Sequence, residues 1–312
     1  MVAFTAVLAL VGPARAQYPA KPIRLIVPFA AGSTNDIVAR IVATPMSESL
    51  GRQIVIDNRA GAAGNIGAEL AANVPPDGYT MMLGSIANAV SMTLYAKPGY
   101  DLVKDFAPVA WIASGTFVAT VHPSVPAKSV KELIVFAKAR PGQVNVATSG
   151  AGIYLMSELF QSMAGIKMTN LTYRSTPYAL TALVAGEASV GFPGMSAVAP
   201  HLKSGRLRAL GVTTVKRSHL APDIPPIAEA GVPGYEASGW YGLMVPAGTS
   251  AEIISRLHDE AIKALNRPDV KERFAATDLE PVGGTAEQFG AQVRSEVVKW
   301  GKVIKAIGMQ PQ

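Results

Sequence analysis

Two short stretches of this chain combine small residues and hydroxyls with the start of a helix, and that combination binds anions. The first is Pro28-Phe29-Ala30-Ala31-Gly32-Ser33-Thr34-Asn35-Asp36. The second is Thr148-Ser149-Gly150-Ala151-Gly152. In each case a strand pattern ends, a turn without bulk follows, and a helical pattern begins. The first N–H groups of a helix have no partner within it and carry partial positive charge. A carboxylate or phosphate oxygen can satisfy them. For the first turn a second reading stays open. Ser33 and Asp36 can form a capping box that closes the helix on itself and leaves nothing to bind. Asp36 fits a cap better than a contact, because its charge would repel an anionic guest. Two such turns, one on each of two sheets, are the parts of a clamp. Ser85 and Asn88, at the carboxyl end of a third strand, are further candidates, since open α/β sheets bind ligands at that end.

Other chemistries find little support. The chain has no cysteine, which removes thiol catalysis, thiolate metal sites and disulfides. The histidines at 122, 201, 219 and 258 are scattered. No H-E-x-x-H, G-x-S-x-G or Walker loop occurs. Gly61-Ala62-Ala63-Gly64-Asn65-Ile66-Gly67 invites a dinucleotide reading, but its spacing is wrong and it follows the second strand. Its glycines read better as room for a close approach of helix and strand. Neither a metal nor any other cofactor is implied. A net charge of +6 without a basic run argues against nucleic acid and weakly favours anionic ligands.

The elements that must position these turns follow from periodicity. Ile23–Val27 reads as a buried strand, 34–50 as a helix stopped by Gly51, 53–57 as a strand, 64–73 as a helix and 80–84 as a strand. Pro45 should kink the first helix. After a short strand at 117–121 and a helix from Ser129 or Val130 to Ala139, a second series follows. Its strands are 144–147, 168–173, 190–192 and 207–212; its helices are about 154–163, 177–185 and 196–203. Alternating strands and helices predict an α/β fold with two parallel-rich sheets flanked by helices. Pro222 to Pro233 forms a link to strand 241–245. Two helices close the chain. Thr249-x-x-Glu252 should cap the first, whose stripe is Ile253, Leu257, Ala261 and Leu265. Thr285-x-x-Gln288 should cap the second, with Phe289, Val293, Val297, Trp300, Ile304 and Ile307 buried. This gives one domain from 18–118 plus 234–312 and another from 119–233. Strands near 117–121 and 240–245 would cross between them, with Trp240 packed at the hinge rather than walling the cleft.

With 312 residues, 49% apolar and only 16% charged, the chain can fill two cores. Val2 to Val11 is apolar and Ala14-Arg15-Ala16 is an A-x-A site, so residues 1–16 read as a secretory signal peptide. A positive n-region is missing. The stretch is too short to span a bilayer, and the rest of the chain should be soluble and exported.

The sequence also resembles the Bug group, the extracytoplasmic substrate-binding proteins of tripartite tricarboxylate transporters. The resemblance is carried by Tyr18-Pro19-x-Lys21-Pro22 through Pro28-Phe29, Asp36-Ile37-Val38-Ala39-Arg40, Asn58-Arg59-x-Gly61-Ala62-x-Gly64-Asn65-Ile66-Gly67 and Pro76-Asp77-Gly78-Tyr79-Thr80. Ser157-Glu158-Leu159-Phe160, Gly205-Arg206-Leu207-Arg208-Ala209-Leu210 and Glu229-Ala230-Gly231-x-Pro233-Gly234-Tyr235 continue it over nearly the whole chain. It implies a two-domain periplasmic-binding-protein (Venus flytrap) fold that closes on a small carboxylate. It also implies that backbone N–H groups on the two turns hold the ligand, which selects Phe29, Ala30, Ala31, Gly32, Ser33, Thr34 and Asn35 with Ser149, Gly150, Ala151 and Gly152. Three departures bear on the ligand. Tyr154 stands where the family often has His. Pro193-Gly194-Met195 stands where it often has Asp-Asn, so a partner for a ligand ammonium is lost and amino acids become poor candidates. Tyr173-Arg174-Ser175 stands where it often has Tyr-Lys-Gly; Arg174 either pairs with a second carboxylate or lies solvated.

The expectation is therefore a monomeric periplasmic receptor, not an enzyme, that hands a carboxylate to membrane permease subunits. A sensor module passing its closed state to a signalling partner is the alternative, and a secreted enzyme using Arg174 or Asp36 the third reading. A clamp of this kind predicts that Ser149→Pro removes a donor and abolishes binding with the fold intact.

Overall fold

A computed structural model describes residues 18–173, 175–218, 221–277 and 279–311. The signal-peptide reading, Arg174 and His219 lie outside the described residues. The chain opens with β1 (Ile23–Val27), α1 (Thr34–Leu50), β2 (Ile54–Asn58), a 3-10 turn at Ala62–Gly64, α2 (Asn65–Ala72), β3 (Thr80–Ser85), α3 (Ile86–Leu94) and β4 (Phe106–Gly115). It continues with β5 (Val118–Val121), α4 (Val130–Lys138), β6 (Asn145–Ser149), α5 (Gly150–Ala164), β7 (Thr169–Tyr173), α6 (Thr176–Ala185), β8 (Val190–Gly191), α7 (Met195–Lys203) and β9 (Arg208–Val212). The last pass is α8 (Ile227–Ala230), β10 (Gly239–Pro246), α9 (Ala251–Asn266), α10 (Pro268–Ala275), β11 (Leu279–Pro281) and α11 (Ala286–Ala306).

Two helix-flanked sheets result, ordered β11-β4-β10-β3-β1-β2 and β7-β6-β8-β5-β9. The expected parallel pairing holds for β2–β1–β3 and for β7–β6–β8. The remaining strands run antiparallel, because β4, β10 and β11 enter the first sheet, and β5 and β9 the second, without a right-handed βα crossover. Each of the two strands expected to cross between sheets lies wholly within one of them. The chain crosses just before each. There Phe117 and Thr213 exchange hydrogen bonds, Ala237 N–H donates to Thr213 O at 3.0 Å, and Gly115 pairs with Gly239.

Local chemistry sets the helix ends. Gly51 ends α1 at φ 64°, and α1 runs on through Pro45. Thr285 and Gln288 form a full capping box on α11. On α9 the cap is Ser250, whose Oγ accepts from Ile253 N–H; Thr249 instead donates to Pro246 O. Phe289, Trp300 and Ile304 of α11 are buried against the first sheet, with Phe289 edge-on to Trp240.

Candidate functional site

An open cleft of ≈360 Å³ lies between the two sheets. The first sheet and its helices contribute Thr34, Ile86, Tyr241 and Leu279, and the crossing contributes Gly115, Thr116 and Phe117. The second side contributes Ser149, Gly152, Ile153, Met156, Thr176, Gly194 and Ala197. Among the described residues, none of the lining side chains is charged.

Five helices begin at this cleft, and they begin differently. On the first side, α1 and α3 are closed by their own side chains. Ser33 Oγ accepts from Asp36 N–H at 3.3 Å. The buried Asp36 carboxylate accepts from Gly32 N–H at 2.9 Å, Arg40 Nε at 2.9 Å and Asn58 Nδ2 at 3.1 Å. The Arg40 hydrogen bond, aided by the other two, holds its pKa below the usual carboxylate range. Ser33 therefore caps α1, but the full capping box does not form, because Asp36 accepts from Gly32 rather than from the Ser33 N–H; its charge is paired with Arg40. Ser85 and Asn88 form a capping box on α3. Asn88, fully buried, also donates to Tyr100 Oη at 3.1 Å, and Tyr100 donates to Asn65 at 3.2 Å. Burial pushes the Tyr100 phenol up to about 12, so it stays a neutral donor.

On the second side, α5, α6 and α7 have no side-chain cap. Ser149 precedes α5, but its hydroxyl shares a hydrogen bond with Thr176 Oγ1, 3.0 Å away at the start of α6. The bond joins two helix N-termini at one corner of the cleft. On α7 the first N–H is occupied, donating from Met195 to Thr116 O at 3.1 Å. The positive ends of α5 and α6 thus remain for a guest.

Among the residues singled out in the sequence, Thr34, Ser149 and Gly152 line this cleft. Ala30, Ala31 and Gly32 form the exposed turn before α1, and Gly150 and Ala151 the exposed first residues of α5. Phe29 packs on Gly64, where an added Cβ would fall 3.0 Å from its ring; at Gly67 it would fall 2.8 Å from Pro28 Cα. The glycines therefore serve a close approach of α2 to the first turn, as their spacing suggested. Asn35 is buried, and its Nδ2 has no partner among the described residues. Pro193 is buried beside the Ser149–Thr176 corner. Tyr154 lies off the cleft, on the face of α5 that carries Glu158. Trp240 is fully buried against Phe289 and does not wall the cleft.

Thr176 was missed, although Ser175-Thr176-Pro177 is a helix-start signature. Ile86, Phe117, Met156, Tyr241 and Leu279 carry no local signal of a site. Among the described residues no cluster could hold a metal ion. The Ser149→Pro expectation is overturned by backbone geometry. Ser149 sits at φ −150° in β6, paired with Tyr173, and proline near −65° would break that strand end rather than delete one donor.

Comparison with known proteins agrees with this architecture. Residues 38–309 match the family described as the tripartite tricarboxylate transporter family receptor. Protein BugT of Bordetella pertussis is 36% identical over 310 residues, covering 98% of this chain and 95% of that protein. The structure of R. palustris Rpa4515 with adipate is 36% identical with a TM-score of 0.76, covering 95% of this chain and 100% of that one. MatC from Rhodopseudomonas palustris, with bound malate, is 28% identical with a TM-score of 0.74, covering 92% and 100%. These relatives are solute-binding proteins rather than enzymes. The chain belongs to the Bug-type receptors of the tripartite tricarboxylate transporter family.

Proposed function

We propose that this protein is a periplasmic receptor that closes on a small carboxylate and delivers it to the membrane permease subunits of a tripartite tricarboxylate-type transporter. The observation that carries the reading is the corner where α5 and α6 begin uncapped, joined through Ser149 and Thr176, in a cleft whose lining side chains among the described residues are uncharged. Hydrogen bonds from backbone N–H to an ionised group contribute about 1.5–3 kcal/mol each. Exclusion of water on closure strengthens them. Residues 18–118 with 234–312 form one lobe and 119–233 the other, with the paired crossings at Gly115–Phe117 and Ala237–Gly239 as the hinge. A monomer suits a clamp that must open. Among the described residues no helix is long and apolar enough to cross a membrane, which fits a receptor that meets its transporter at the membrane face.

The test is a thermal-shift comparison of small carboxylates with their primary amides. A ligand at a hundred times its Kd adds about 2.7 kcal/mol to the stability of the state that binds it. Stabilisation by the acid and none by its amide is the expected result. Equal stabilisation by both would overturn the anion reading.

A further inference from the structure

The start of α5 presents the N–H groups of the anion corner, yet it is poorly equipped to hold them still. It has no side-chain cap, and Gly150 and Gly152, two of its first three residues, are weak helix formers. The hydroxyl beside it, on Ser149, is shared with Thr176 at the next helix start. The helix is therefore aimed from its body.

That body is tied to β7 by side chains. On α5, Gly152, Ile153 and Met156 line the cleft, while Tyr154, Ser157, Glu158 and Gln161 share the side toward β7. Ser157, fully buried, donates to Asn170 Oδ1 at 2.7 Å. Asn170 Nδ2 donates to Glu158 Oε1, which also accepts from Gln161 Nε2 at 3.3 Å. Gln161 donates to Ser157 Oγ at 3.2 Å and accepts from Met168 N–H at 2.5 Å. The Tyr154 hydroxyl meets the Asn170 side chain as well. Both ends of the Asn170 amide are thus committed, which fixes its orientation. From β7 the tie runs on to the corner. Thr172 Oγ1 lies 3.1 Å from Thr148 Oγ1, and Tyr173 pairs with Ser149.

A carboxylate is a costly choice for this place. Glu158 is half-buried, and burial raises its pKa. An apolar side chain would pack α5 on β7 without that cost. What the carboxylate adds is direction. Its oxygen accepts two N–H bonds in a set geometry, whereas apolar contact alone would let the helix roll and slide.

Resting on the carboxylate reading of the cleft, we propose that Glu158 and Asn170 are positioning residues for ligand binding. Their bond locks the rotation of α5 on β7 and so aims the N–H groups of Gly150–Gly152 into the corner with Ser149 and Thr176. Neither residue touches the guest.

Two variants that suit their local structure test the lock. Glu158→Leu keeps bulk and a good helix former but removes both acceptors; Asn170→Val removes the amide from a strand position that favours valine. Hydrogen exchange of the ligand-free protein reads the lock directly. In both variants the N–H groups of Tyr154–Ser157, which close the first turns of α5, should exchange about tenfold faster, with the rest of the chain unchanged. Calorimetric titration with adipate, malate, citrate and benzoate reads the consequence. Both variants should bind the acid that the parent binds tightest about tenfold more weakly. Glu158→Gln, whose amide oxygen can accept the same two bonds, should restore both exchange and affinity. Unchanged exchange at 154–157, or unchanged affinity in both variants, overturns the proposal. So does protection lost evenly over the whole chain, the mark of a purely structural role, or failure of Glu158→Gln to restore binding. A parent protein that binds none of these acids overturns the carboxylate reading, while the exchange data still decide whether the lock exists.

Discussion

Gly152→Asp is expected to abolish ligand binding and leave the fold intact. Gly152 is the third residue of α5 and lines the cleft, and an added Cβ there meets no atom within 4 Å. The backbone is ordinary helix, so an L side chain costs no strain. An acidic residue in a first turn also complements the helix ends, by about 0.3–1 kcal/mol. The ligand-free melting temperature should therefore hold or rise. Binding should not survive. Two like charges about 4 Å apart repel by about 4 kcal/mol at an effective dielectric near 20, which is about a thousandfold in Kd. Gly152→Asn, similar in shape but neutral, should bind far better than the aspartate variant. Titration calorimetry reads the difference. Equal affinity for the aspartate variant and the parent would remove α5 from the site.

Phe289→Ala carries the largest expected cost to stability, about 3–5 kcal/mol, the usual range for emptying a buried phenylalanine site. Phe289 is fully buried on α11, with ring centroids 5.7 Å from Trp240 and 6.4 Å from Trp111. It occupies the space above Gly242 in β10, where an added Cβ would fall 2.1 Å from its ring. This contact helps dock the last helix onto the centre of the first sheet. Gly242→Ala alone should also destabilise, by about 1–3 kcal/mol from overpacking. The double variant should cost less than the sum, since the methyl group then enters the space the ring has left. Urea unfolding followed by tryptophan fluorescence reports all three. Strictly additive costs would contradict the contact.

The parts legible in the sequence are those with their own local signal. The span 34–50 is a helix because Ser33 and Gly51 mark its ends and its apolar residues keep helical spacing. The stretch from 86 to 116 offered nothing comparable. In it α3 follows β3 without a break, held by Ser85 and Asn88, two residues whose types suggested ligand contacts but which serve each other. β4 contains Pro108, normally a mark against a strand. The fold tolerates it because β11 pairs only with Ala113–Gly115, leaving the Pro108 end of β4 on an outer edge. Two glycines hid the first turn of α5, which starts at Gly150 rather than near 154. The cleft was half legible for a similar reason. Small residues and hydroxyls before a helix identify Thr34, Ser149 and Gly152. Leu279 and Tyr241 reach the cleft only through pairing with β4, a long-range event that no window of sequence contains.

The central claim is that the ligand's carboxylate sits at the α5–α6 corner. A crystal structure of the protein with the carboxylate that stabilises it most would test that claim most directly. The account predicts carboxylate oxygens within hydrogen-bond distance of the N–H groups of Gly150–Gly152 and of the Ser149 or Thr176 hydroxyl. A carboxylate seated instead against Thr34 and the start of α1, away from the α5–α6 corner, would contradict it.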